Sequence, residues 1–119
     1  MTRIWINVQP EGLYIRPAAV YIDPVKPVQR AIITHAHADH ARPGHVTVYA
    51  TRETLAIMAC RFGNGFCEQP IAVNLGDTID LPGNVDMRLS PAGHILGSAQ
   101  VTLTHNNEVA TISGLSLIH

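Results

Sequence analysis

The stretch that decides the reading of this chain is Ala31-Ile32-Ile33-Thr34-His35-Ala36-His37-Ala38-Asp39-His40. Three histidines and an aspartate fall within six positions, directly after an apolar run. Imidazole and carboxylate are the donors that suit zinc and similar divalent ions. On extended backbone the side chains alternate, so His35 and His37 point to one side. A turn into a helix would then send Asp39 and His40 off at another angle, toward a second ion. One short segment can thus supply most of a two-metal site, which is a hydrolase signal. A single histidine near a strand end is ordinarily solvated or satisfied by one hydrogen bond. Four ligand-type residues at this spacing are not explained that way.

A further candidate, His94, lies in Ser90-Pro91-Ala92-Gly93-His94-Ile95-Leu96-Gly97-Ser98, again after an alternating apolar segment. Mixed nitrogen and oxygen donors without cysteine fit zinc, and manganese or iron would also be accommodated. Two cysteines occur, Cys60 and Cys67. Their spacing matches no metal pattern, so they are expected as free thiols.

At 119 residues the chain is at most one domain. Its hydrophobic fraction of 46% is ordinary, whereas 14% charged residues is low against a typical value of about 25%. So few charges suggest more buried surface than a chain of this size can cover alone. The formal net charge of −1 carries no electrostatic footprint of nucleic acid. The start, Met1-Thr2-Arg3-Ile4-Trp5-Ile6, lacks the apolar core of a signal peptide, and no stretch is long enough to span a membrane. The expectation is a soluble, cytoplasmic protein.

The punctuation predicts an α+β chain with many short strands. Residues 12–15 and 19–22 are β-rich and bounded by Pro17 and Pro24, 28–34 form a strand delivering His35, and 46–50 alternate with period two. One clear helix is predicted over about 52–62, where Leu55, Met58, Ala59 and Phe62 make one apolar stripe. Thr51 can cap its start, Glu53 suits the positive end, and Gly63 can close it. Further strands are expected at 71–73, 79–81 and 85–89. A hairpin follows over 100–104 and 108–113, turning on Asn106-Asn107. Both histidine clusters follow strand ends, and loops at one end of a sheet commonly carry function.

Taken together, His35-x-His37-x-Asp39-His40, a following helix and a later Gly93-His94 resemble the metallo-β-lactamase superfamily. Within it, the phrases Thr34-His-Ala-His-Ala-Asp-His-Ala-Arg-Pro-Gly44, Ala50-Thr-Arg-Glu-Thr-Leu55 and Pro91-Ala-Gly-His-Ile-Leu-Gly-Ser-Ala-Gln100 are similar to the bacterial DNA-ligase-associated exonucleases. That group is related to the RNA 3′-end-processing nucleases. The resemblance runs from about Trp5 to Gly114. It implies an αββα sandwich, mostly antiparallel, of which this chain would be the N-terminal part. His35, His37 and His94 would hold one divalent ion, zinc before manganese or iron, and Asp39 and His40 a second. Asp39 would be the catalytic carboxylate, taking a proton from the bridging water. Asp23, in Tyr21-Ile22-Asp23-Pro24, would support the ligand loop from outside the ligand set, although an Asp-Pro turn explains it equally well. His45, close in sequence to the site, is read as a solvated loop residue, with a supporting role at the site as the alternative. His105, beside the predicted hairpin turn, is read as exposed.

The implied reaction is metal-dependent phosphodiester hydrolysis, with two ions about 3.5–4 Å apart on the attacking and leaving oxygens. The implied substrate is nucleic acid, DNA ahead of RNA, in repair linked to a DNA ligase and a helicase. The sequence departs from the family where the strand ending Ser113-Gly114 should be followed by an aspartate bridging the ions, since Leu115 stands there. Residues 1–119 are therefore expected to be a truncated or frame-shifted piece after about 114, weakly active or inactive alone. Half of the sandwich would leave one sheet's inner face uncovered and prone to self-association. The alternatives are a non-catalytic metal-binding or self-associating stub, or another hydrolase of the same superfamily.

Overall fold

Thr51 begins the helix, α1 (Arg52–Phe62), where the sequence places it. Its side chain accepts a hydrogen bond from the Thr54 amide, and Gly63, at φ 91°, closes the other end with its own amide bonded to the Ala59 carbonyl. This computed structural model describes residues 5–35, 41–91 and 99–112, with the backbone of 117–118. Met58 is buried, and Leu55, Ala59 and Phe62 pack beside it as the stripe requires. Because Thr51 is itself buried, Thr51→Ala should cost about 1 kcal/mol. A urea titration followed by helical circular dichroism checks this.

The strands form two sheets. The first contains β1 (Ile6–Gln9), β2 (Gly12–Ile15), β3 (Val20–Ile22), β4 (Arg30–Ile32), β5 (His45–Ala50) and β6 (Cys67–Ala72), side by side in that order. The second contains β7 (Thr78–Leu81), β8 (Val85–Pro91), β9 (Ala99–His105), β10 (Glu108–Ile112) and β11 (Leu117–Ile118), also in chain order. All pairs of the second sheet are antiparallel. In the first, β1 to β3 are antiparallel but β3 to β6 run parallel. Among the described residues the chain is thus mixed α+β, mostly strands with one helix, and antiparallel except across that parallel block.

Several elements differ from expectation. The strand expected over 28–34 shortens to β4, and β1, which no periodicity announced, forms by pairing with β2. The strand expected at 71–73 begins earlier, as β6, and runs through Pro70. β6 is an edge strand, where a proline costs no ladder bond on the open side. The β9–β10 turn is as predicted, with Asn106 and Asn107 at φ 50° and 66°.

The two sheets pack face to face. Ile15, Val20, Ile22 and Ile32 of the first share one buried cluster with Val85, Met87, Leu89, Val101, Leu103 and Ile112 of the second. Each such side chain contributes about 1.5–3 kcal/mol on burial. On the first sheet's other face, Ala31, Val48 and Ala50 meet Met58 of α1 and Phe66. The layers are therefore helix, sheet, sheet. This corrects the expectation of an uncovered apolar inner face, because the chain supplies both partners of its main interface. The second sheet's outer face carries Asp86 and Arg88, both exposed, with Thr102 and Thr104. It offers self-association little apolar surface among the described residues beyond Val109, which is 49% exposed.

Candidate metal centre

Because β3, β4, β5 and β6 are parallel, their carboxyl ends lie at one end of the sheet. Asp23 follows β3, Thr34 and His35 follow β4, Thr51 follows β5, and Val73 and Asn74 follow β6. Ligands of open sheets with parallel strands bind beyond such ends. A cleft of about 190 Å³, lined by Thr51, Arg52, Glu53, Val73, Asn74 and Leu75, opens there.

Asp23 is tied to the start of the histidine-bearing segment by two hydrogen bonds. The Thr34 amide donates to Oδ1 at 2.8 Å and the Thr34 hydroxyl to Oδ2 at 2.6 Å. The Asp23 backbone is left-handed at φ 48°, a conformation aspartate tolerates better than most side chains. Its amide bonds the Ile32 carbonyl at 2.9 Å. The chain therefore turns sharply after β3 and presents the carboxylate across the end of β4. Asp23 thus sits in the turn after β3 and bonds the backbone and hydroxyl of Thr34, the residue before His35. His35 is half-buried, with Nδ1 shielded from solvent.

The second sheet reaches the same place. The Ala99 amide donates to the Thr34 carbonyl at 2.7 Å, and Ala99 is the register partner of Pro91. Pro91 and Ala99 bracket residues 92–98, which carry His94. Thr34 and His35 lead into residues 36–40, which carry His37, Asp39 and His40, and Ala41 beyond them is buried under α1. The roots of the two histidine-bearing segments thus meet at Thr34. His37, Asp39, His40 and His94 themselves lie outside the described residues. Among the described residues no group of three or more His, Cys, Asp or Glu side chains could hold a metal. The flanks of the two segments converge at Thr34, and the residues those segments carry in sequence are imidazoles and a carboxylate.

Three residues depart from their sequence reading. Thr34 entered as part of a motif, yet it joins Asp23, the ligand segment and the second sheet. His45 is buried at the start of β5 and not solvated. His105, at the end of β9, is packed on Trp5 with ring centroids 5.3 Å apart, and its Nδ1 lies 3.2 Å from the Asn84 carbonyl. The thiols are free as expected, Cys60 exposed and Cys67 buried. No helix among the described residues is long and apolar enough to cross a membrane.

Comparison with known proteins adds one relationship. A protein of Opitutus terrae named "Probable DNA ligase" is 34% identical to this chain over 94 residues, covering 79% of the chain. The chain spans only 9% of the length of that curated relative. No family model matches the chain.

Proposed function

We propose that this chain is the metal-binding part of a two-metal phosphodiester hydrolase of metallo-β-lactamase type, a DNA exonuclease working beside a DNA ligase. The observation that carries the reading is the Ala99–Thr34 hydrogen bond, which roots both histidine-bearing segments at one point on the carboxyl ends of parallel strands. The Asp23 clamp beside it and the relative named for DNA ligation support the same reading.

In this proposal His35, His37 and His94 would hold one divalent ion, zinc before manganese or iron, and Asp39 and His40 a second. When bound, such ions supply a nucleophilic water and stabilise charge on the phosphoryl oxygens. Asp39 would take up a proton at its carboxylate, and Asp23, through Thr34, would keep the ligand segment in place. Arg52, exposed at the rim of the cleft, adds a positive charge at the end where a polyanion would lie. DNA is preferred over RNA, and ligase and helicase are the proposed partners.

Activity of these 119 residues alone should be weak. Leucine stands at position 115, where the resemblance implies a bridging aspartate. The test is metal content after dialysis against zinc, together with nucleotide release from single- and double-stranded DNA. Bound zinc that falls in both His35→Ala and His37→Ala, with slight chelator-sensitive release, is expected. A chain that retains no zinc overturns the proposal. Bound zinc with no nucleotide release, even at high protein concentration, favours the non-catalytic stub instead.

A further inference from the structure

His45 opens β5 and is 1% exposed. Its Nδ1 lies 3.1 Å from the Val28 amide nitrogen and accepts that N–H. The ring is therefore neutral, with its proton on Nε2. That Nε2–H is buried and meets no hydrogen-bond partner among the described residues. A buried imidazole held by one bond, with its second nitrogen unsatisfied, is a weak point in an otherwise well-tied joint.

The joint itself is well defined. The Val46 amide bonds the Val28 carbonyl at 3.1 Å, Thr47 bonds Gln29 at 2.9 Å, and Gly44 bonds Phe66 at 2.8 Å. Val28 leads into β4, which delivers Thr34 and His35, and the chain returns through 41–44 to His45. The Val28–His45 contact thus ties the two ends of the unit that carries His35, His37, Asp39 and His40. It sits at the amino ends of the parallel strands, away from the candidate metal centre.

We infer that His45 is an acid-sensitive latch on this unit. Protonation at Nδ1 sets a donor against the Val28 N–H, breaks that bond and loosens the joint between residues 27–29 and 44–47. The latch goes beyond the metal-centre reading and holds whether or not a metal binds.

The surroundings support neutral imidazole at neutral pH. Burial pushes the His45 pKa below its ordinary value. Cys67, level with it on β6, is a thiol whose own pKa burial raises, so it stays uncharged in the same range. The charged groups on the flanking segments, Lys26 and Arg42, are exposed. Since the unfolded chain takes up the proton near pH 6.5 and the folded chain resists it, stability complete above about pH 6.5 is lost as pH falls below that.

The experiment compares the full chain with His45→Asn, whose amide oxygen can accept the Val28 N–H without titrating. One-proton linkage sets the expectation. Between pH 6.5 and 5.5 the wild-type unfolding constant should rise up to about fivefold more than the variant's. The protection factor of the Val28 amide should fall over the same interval in the wild type only. Equal pH dependence of the two proteins overturns the latch, as does Val28 protection unchanged at pH 5. Should His45→Asn not fold, the wild-type ring nitrogen shifts decide. A proton on Nε2 that gives way to the cation only below the ordinary histidine range, with loss of Val28 protection, supports the latch. A ring already cationic at pH 6.5 with Val28 still protected overturns it.

Discussion

Gly83→Ala is expected to remove about 3 kcal/mol or more of stability while leaving the carboxyl ends of the parallel strands untouched. Gly83 sits in the turn between β7 and β8 at φ 76°, where a side chain is strained whatever the space. Space is also lacking. A Cβ on Gly83 would collide with the carbonyl of Pro17, which is backbone and cannot rotate away, and would come within 2.9 Å of the Pro17 Cβ. Pro17 follows β2, so the contact docks a turn of the second sheet on a turn of the first. It helps close the sandwich at the end opposite His35.

Gly76→Ala separates the two contributions. Gly76 also has positive φ, 89°, but nothing lies within 4 Å of the added carbon. Its cost should be backbone strain alone, about 1 kcal/mol. Urea midpoints of the two variants measure the difference. Equal losses would mean that the sheets shift apart freely at Pro17, and that the turn-on-turn contact does not set their spacing. With total stability of a domain of this kind at about 5–15 kcal/mol, the Gly83 change should be visible as a large fall in midpoint.

What could be read from the sequence was what neighbouring residues decide among themselves. α1 needed only Thr51, a stripe at helical spacing and Gly63, all within thirteen positions. The β9–β10 turn needed only two asparagines. β6 shows the opposite case. Cys67-Glu68-Gln69-Pro70-Ile71-Ala72 has no clean alternation, and it becomes a strand because β5, on the far side of the helix, offers a parallel edge. The meeting of the two sheets was equally hidden. A low charge fraction signals much buried surface but not which face covers which, and here the chain covers its own.

The candidate site divides along the same line. A run of ligand-type residues announces a candidate site because the donors are adjacent in sequence. Its support does not: Asp23 and Thr34 are eleven positions apart, and only the parallel register of β3 with β4 puts them in contact. His45 was misread for a related reason. A histidine after Pro43-Gly44 looks like a loop residue until the Val28 amide, seventeen positions earlier, takes its Nδ1 as acceptor.

Asp23→Ala carries the second large expected effect, on the candidate centre itself. The substitution leaves the Thr34 amide and hydroxyl without their carboxylate acceptor, where hydrogen bonds to a charged group are worth about 1.5–3 kcal/mol each. It also puts alanine at φ 48°. A stability loss of about 3 kcal/mol is expected, and a fall in zinc affinity of about 10- to 100-fold, the range seen when groups that orient metal ligands are removed. Asp23→Asn is the informative companion. Asparagine accepts left-handed backbone, its amide oxygen can take the Thr34 N–H, and its NH₂ can donate to the Thr34 hydroxyl. The turn and clamp then survive without the charge, at a cost under about 1 kcal/mol. Zinc affinity in Asp23→Asn should lie close to that of the wild type, because position and not charge is what Asp23 gives to Thr34 and through it to His35. Calorimetric zinc titration of both variants reads this directly. If Asp23→Ala unfolds more easily yet binds zinc as tightly as the wild type, Asp23 is a turn residue only, and the link from β3 through Thr34 to the metal end is wrong.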